Sequence, residues 1–326
     1  MPHPVSAPSR ATRSHLLPCV RDRTTFELLT LQFRLAGEED PGPPAQPLAE
    51  HLAVGLIHAV GDTLEHITDD MLESWGVSFD EALAGARDGL WRISNERFEQ
   101  PLPGLYVSPW RDGHDCSCLF LHDLIWQLKV KGDHVALVPN CNALLVTGSD
   151  DEPGLLGMAR LARNAILEPV GVSGNAVRLS GNHWEPFMPP PHHPAHAAFR
   201  TLRAISVTSE YTQQKDLLDL LYAKTGEGYA VAEVQQSEAD EAGELSTATV
   251  WPERPGATLL PRTDGVFFGE PNSDELDKGS IVEWEVAQRV VGELMTPMGI
   301  YPERYLVSRF PSVEQMKAIR AAHHPA

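Results

Sequence analysis

Two stretches of the chain carry the same order of apolar and polar positions. The first covers residues 135–151 (VALVPNCNALLVTGSDD) and the second residues 257–275 (ATLLPRTDGVFFGEPNSDE). Pro139 matches Pro261, the turn position Asn142 matches Asp264, and largely apolar residues followed by acidic ones come after each turn. Each stretch reads as a hairpin, with turn residues between two apolar runs. A segment of helical spacing follows in both, then a short apolar run ending near Phe187 and near Phe310. This recurrence predicts one hairpin–helix–strand unit used twice. The expected fold class is α+β: two lobes, each with a mostly antiparallel sheet packed on helices.

The rest of the pattern fills in around these units. Residues 1–23 are rich in Pro, Ser and Arg and read as a disordered tail. Residues 26–35 (FELLTLQFRL) look extended, with a short helix as the alternative, and residues 52–60 (LAVGLIHAV) look like a strand that Gly61 and Asp62 turn into a partner at 64–67. Thr68 as N-cap, Asp69 and Asp70 in the first turn, and Gly76 as the left-handed stop delimit one helix. Ser78 with Glu81 forms a capping box for the next, whose apolar face is Phe79, Leu83, Ala86 and Leu90. Residues 104–109 read as a strand and 116–128 (CSCLFLHDLIWQL) as a helix apolar on most sides. Leu155, Met158, Leu161, Ala162 and Ala165 give the stripe of a helix after the first hairpin, and residues 177–179 its closing strand. The prolines of 188–196 (MPPPHHPAH) exclude a helix or central strand, so this run is expected to be a linker. It would separate an N-terminal domain, 24–187, from a C-terminal one, 197–326. The second domain is expected to hold a helix at 199–224, strands at 229–234 and 247–251 around an acidic loop, a helix at 283–295 and a strand at 304–308.

Composition narrows the function classes. At 326 residues the chain exceeds the usual single-domain size. Hydrophobic residues at 42% and charged ones at 22% suit a globular protein with a real core. The formal charge of −19, with no Lys/Arg cluster to override it, repels a phosphate backbone, so no nucleic-acid partner is expected. No apolar run approaches the about 20 residues of a membrane span, and the N-terminus lacks a signal-peptide core, so no membrane association is expected. Four cysteines (Cys19, Cys116, Cys118, Cys141) do not make a secreted disulfide framework. Cys116 and Cys118 are too close in sequence to bridge each other easily. Together these point to a reduced, cytoplasmic protein.

Several stretches resemble the YtpQ-like family of bacterial proteins of unknown function. They are the strand pair at 52–67, Glu73-Ser74-Trp75-Gly76-Val77-Ser78 with Glu81-Ala82-Leu83, and Val135 to Pro139 with residues 143–151. The resemblance covers residues 50–187, and the second half looks like the C-terminal extension of longer relatives. It implies a basic and an acidic residue in the turn after the proline. The second copy has them as Arg262 and Asp264; the first has Asn140-Cys141-Asn142 instead. No activity is implied.

Among chemical candidates, the sharpest cluster is His114, Cys116, Cys118 and His122. On a continuous helix Cys118 and His122 share a face, where a soft metal could bridge them. A second Cys/His pair at zinc-site spacing is missing, and Asp115 is a natural N-cap, so buried core cysteines are the competing reading. A Cys–His nucleophile using Cys116 or Cys141 needs a spatial pairing that sequence does not reveal. His192, His193 and His196 read as solvated linker. Asp150 and Asp151, and Asp274 and Glu275, sit where a helix N-terminus favours acid. Asn140, Asn142, Arg262 and Asp264 are turn residues and candidate binding positions. Trp75, Trp91, Trp126 and Trp184 are expected to fill cores or contacts between domains. No P-loop, GxGxxG after a strand, HExxH or GxSxG is present, so no cofactor is expected. The favoured reading is a non-catalytic protein-binding scaffold or adaptor with a protein partner, one carrying basic charge. The alternative is an enzyme, metal-dependent or not, with its site near Cys116/Cys118/His122 or the Arg262/Asp264 turn. Oligomeric state is not readable.

Overall fold

The apolar run at Leu52–Val60 forms β3, the middle strand of a four-stranded antiparallel sheet. Continuous apolar character suits a strand covered on both faces. β1 (Leu16–Asp22) pairs along it from Leu16↔His58 to Asp22↔Leu52, while β2 (Gln46–Pro47) and β4 (Thr63–His66) pair with successive stretches of β3. The structure, a computed structural model, describes residues 16–38, 42–60, 63–237, 244–253, 255–269 and 281–323. Most of the expected tail, the turn at Gly61 and Asp62, Asp274 with Glu275, and most of the acidic loop lie outside the described residues.

The described residues divide into two units, 16–30 with 42–203 and 31–38 with 204–323. The architecture is α+β with mostly antiparallel sheets.

In the first unit, α1 (Arg23–Ala36) follows β1 directly and continues into the second unit. Of the two readings of 26–35, extended or helical, the helix is the one that forms, and the expected tail ends in a strand. Asp22 caps the helix, taking the Thr25 N–H at 2.9 Å and the Thr25 hydroxyl at 2.7 Å. α2 (Asp69–Trp75) and α3 (Phe79–Ile93) start and stop at the expected caps: Gly76 sits at φ 63°, and Ser78 and Glu81 exchange both bonds of the capping box. Both helices bury Leu72, Trp75, Leu83 and Ala86 against Val54 and Leu56 of the first sheet.

A second sheet has the order β10-β9-β7-β8-β6-β5. Its strands are β5 (Glu99–Leu102), β6 (Leu105–Val107), β7 (His134–Asn140), β8 (Ala143–Gly148), β9 (Val177–Ser180) and β10 (His183–Pro186). Alternation with period two sorts its side chains onto two buried faces. Val135, Leu137 and Leu145 face Leu155, Met158 and Ala162 of α5 (Glu152–Ala165), together with Phe199 and Leu202. Ala136, Val138, Leu144 and Val146 face Cys116, Cys118, Leu119 and Ile125. Those four residues belong to a 3-10 turn, Asp115–Phe120, and to the short α4 (His122–Ile125). The single helix expected at 116–128 is broken at Leu121, whose φ and ψ of −95° and 75° lie outside the helical region.

The prolines of 188–196 belong to the first unit. His196 Nδ1 lies 2.6 Å from the Pro189 carbonyl, and Ala195 is fully buried. α6 (His196–Thr225) begins in this unit and runs into the second.

The second unit holds β11 (Ala230–Val231), β12 (Gln235–Gln236), β13 (Thr247–Trp251), β14 (Thr258–Pro261), β15 (Gly265–Phe268), β16 (Ile281–Glu283), β17 (Thr296–Pro297) and β18 (Arg304–Val307). They form two sheets, β11-β14-β18-β17 and β12-β13-β15-β16. α7 (Trp284–Val291) and α8 (Val313–His323) bury Trp284, Ala287, Val291 and Ile319 with Trp251, Leu260 and Val266.

The hairpin expected in both copies is present only in the first, where β7 pairs with β8. In the second, β14 and β15 lie in different sheets, β15 pairing in parallel with β13. What the copies share is the closing strand: β9 runs antiparallel to β7, and β18 antiparallel to β14.

Candidate functional site

α3 turns its apolar stripe inward and leaves Arg87, Asp88 and Trp91 outside. Residues three and four apart share a helix face, so these three form one patch. Trp91 is 44% exposed. The segment 115–126 presents its own outer side to the same place. Cys116, Cys118, Leu119, Leu121 and Ile125 point into the core, while His122, Asp123 and Trp126 do not. Trp126 is 46% exposed. Together with Phe120, Leu121 and Asn182, these side chains enclose a cavity of about 340 Å³.

His122 is one of the polar residues that line this cavity. Its ring lies 6.2 Å from that of Trp126 and 6.0 Å from that of Trp184, which donates its Nε1–H to the Leu119 carbonyl at 3.2 Å. His122 Nε2 is buried without a hydrogen-bond partner. Burial lowers the His122 pKa; Asp123 opposes this and Arg87 adds to it. The imidazole is therefore neutral at neutral pH. Two carboxylates, Asp88 and Asp123, stand against one guanidinium, Arg87, so the cavity is net acidic beside the two exposed indoles. Chemically this suits a cationic group: the rings offer cation–π surface and the carboxylates charge.

The expected binding residues lie outside this cavity. Asn140 is buried and donates Nδ2 to the Ala165 carbonyl at 2.9 Å and to Glu168 at 3.2 Å, while its Oδ1 accepts the Asn142 N–H. Asp151 caps α5 through the Gly154 N–H. Asp150 accepts from the Ser149 hydroxyl and lines a cavity of about 790 Å³ with Asp133, Arg178 and His193. Asp264 accepts the Thr247 N–H and hydroxyl at 2.9 and 2.8 Å, fixing the start of β13. The Arg262 side chain is exposed, and the residue's main-chain N–H donates to the Tyr211 hydroxyl.

Nor are the four expected metal ligands gathered. Cys118 Sγ is 3.2 Å from the Ser94 hydroxyl, Cys116 Sγ is 3.3 Å from the Val20 carbonyl, and burial lowers the His114 pKa. Among the described residues no group of three or more His, Cys, Asp or Glu could hold a metal ion. The break at Leu121 removes the shared helix face on which that reading depended.

Trp91 and Trp126 were expected in cores or domain contacts, and their exposure corrects this. The sign was present for Trp91, which follows Arg87 by four residues and so falls off the apolar stripe. Trp126 had no such sign, because its segment is apolar on most sides.

Comparison with family models, curated proteins and solved structures returns no match. No helix among the described residues is long and apolar enough to cross a membrane.

Proposed function

We propose that this protein is a non-catalytic, cytoplasmic binding scaffold that takes an arginine side chain of a basic partner segment into the cavity walled by Trp91 and Trp126. The observation that carries this reading is the pairing of two half-exposed tryptophans in one net-acidic cavity with a neutral, unpartnered imidazole. Large indoles left this exposed are costly unless something covers them, and tryptophan and arginine are the residues that dominate interface energetics. A cavity of about 340 Å³ falls at the small end of ligand sites, the scale of one side chain rather than a cofactor. The formal charge of −19 would steer a basic segment toward the surface. Kinship with the YtpQ-like family belongs to this proposal and supplies no ligand of its own.

Calorimetric titration with an arginine-rich peptide and its glutamate-substituted counterpart tests the reading. The wild-type chain should bind the basic peptide alone. Trp91→Ala with Trp126→Ala should weaken binding by about 2 kcal/mol or more, roughly 30-fold. Equal binding of both peptides, or an unchanged affinity in a folded double variant, overturns it. A wild-type chain that ignores both peptides does so as well, and leaves a neutral small ligand for the same cavity.

A further inference from the structure

The second unit has a cavity of its own, which the binding reading does not use. It measures about 310 Å³ and is lined by β11, an end strand of the sheet β11-β14-β18-β17. Ala232, Val250 and Pro252 contribute apolar surface, and Lys215, Glu233 and Thr258 contribute polar groups.

The main chain of β11 leaves one residue's hydrogen-bonding groups over. β11 runs parallel to β14, and the ladder uses alternate residues: the Ala230 N–H donates to the Ala257 carbonyl at 2.9 Å and the Ala232 N–H to the Leu259 carbonyl at 3.1 Å. Val231, between them, therefore turns its own N–H and C=O to the open edge. No strand among the described residues pairs with that edge. Arg304 donates to the Ala232 carbonyl at 2.8 Å, which fixes the strand in place.

We propose that this cavity binds a free α-amino acid with an aliphatic side chain, its carboxylate on Lys215 and the Val231 N–H, its ammonium on Glu233 and the Val231 C=O.

The side chains have the capacity this requires. Lys215, on α6, gives one of its three ammonium N–H groups to Asp219 at 2.5 Å, and among the described residues the other two have no partner. The Glu233 carbonyl accepts the Thr249 hydroxyl at 3.0 Å, so its main chain is held, while its carboxylate has no partner among the described residues. Thr258 is 5% exposed, yet its hydroxyl is likewise without a partner there and lines the cavity. A buried hydroxyl left so is costly unless something entering the cavity bonds to it.

Charge and size select the ligand. One ammonium and one carboxylate make the lining neutral in a chain of net charge −19, so it matches a zwitterion. A bare carboxylate would meet the repulsion of the whole molecule, and a bare amine would leave Lys215 unmatched. About 310 Å³ is the lower end of small-molecule sites and suits a single amino acid. An extended peptide added to a sheet edge draws on several residues of free main chain, whereas the free edge beside this cavity is that of Val231.

The test titrates the full chain calorimetrically with L-leucine and with two analogues, 4-methylpentanoate, which lacks the ammonium, and 3-methylbutylamine, which lacks the carboxylate. Leucine should bind saturably and move the Val231 amide resonance. Each analogue should bind at least about tenfold more weakly, the loss expected when a charge-assisted hydrogen bond is removed. Glu233→Gln and Lys215→Gln should weaken leucine binding by a similar factor. Absence of binding by leucine, valine and methionine at about 10 mM, tenfold above a millimolar Kd, overturns the proposal. So does an analogue that binds as tightly as leucine, or binding that leaves the Val231 resonance in place. Should Lys215→Gln fail to fold, Glu233→Gln, at an exposed position, decides, and an unchanged Kd in that variant overturns the proposal. Peptide binding through Trp91 and Trp126 is scored separately, so either proposal can fail alone.

Discussion

At the scale of single residues, the second unit depends on a buried cation. Arg304 is fully buried. It donates to Gln214 Oε1 at 2.6 Å and to the carbonyls of Ala232, Leu259 and Tyr211 at 2.8, 3.2 and 3.1 Å, with its guanidinium 5.1 Å from the Tyr211 ring. Burial draws its pKa down to about 10. The planar guanidinium satisfies four acceptors from three segments at once, which a lysine cannot do. Arg304→Met leaves those acceptors without donors and should cost about 3 kcal/mol in a denaturant titration. A loss within 0.5 kcal/mol, the range of an ordinary surface change, would show that the network contributes little. Nothing in the residues around Arg304 announces this role, because its partners, three main-chain carbonyls and the Gln214 side chain, are distant in sequence and assembled only by folding.

Cysteine titration belongs to the same scale. A thiol reacts as its thiolate, so Cys19 and Cys118, pushed up by burial to about 11 and about 12, should stay unlabelled by an alkylating reagent in the folded chain at neutral pH. Labelling of either before the chain unfolds would contradict that burial.

At the scale of elements, capping residues were the most legible part of the chain. Thr68, Gly76, Ser78 and Glu81 act through bonds to their immediate neighbours, so a short window contains the whole cause. Ser78→Ala should lower stability by about 1 kcal/mol, visible as a fall in melting temperature, and Ser78→Asp should retain most of it. An unchanged melting temperature in the alanine variant would mean the capping box is dispensable. The elements misread were those whose identity comes from distant partners. β1 carries Pro18 and Arg21 in a segment beside a Pro/Ser-rich stretch, and only its seven-residue register with β3 makes it a strand. In α1, Leu29, Leu31, Phe33 and Leu35 alternate as a strand would, while the cap at Asp22 was hidden in the supposed tail. The break at Leu121 separates Cys118 from His122, leaving the two cysteines of the expected site in the core and its His122 in the outer cavity. The residues were thus legible as chemically interesting, but their grouping was not.

At the scale of the whole molecule, the α+β class followed from runs of apolar period two alternating with helical stripes, and the structure has it. The second hairpin did not survive, because a turn sequence such as Arg262-Thr263-Asp264 permits a reversal without dictating which strands then pair. Charge acts on the molecule as a whole. With a net −19, association with a basic segment should slow as salt rises, while the contribution of Trp91 and Trp126 to the dissociation rate should change little. Acid should also weaken binding. His122 is neutral above its lowered pKa, and protonation below it places a second cation beside Arg87 in the cavity. Stopped-flow association at several salt concentrations and pH values reads both effects. A salt-independent on-rate would remove the steering argument.

The most direct measurement follows the indole N–H resonances of the seven tryptophans while an arginine-rich peptide is added. Trp91 and Trp126 should move together along one saturation curve, and the buried indoles of Trp251 and Trp284 should stay in place. No movement at Trp91 and Trp126, or an equal shift at all seven, would contradict the cavity as the binding site.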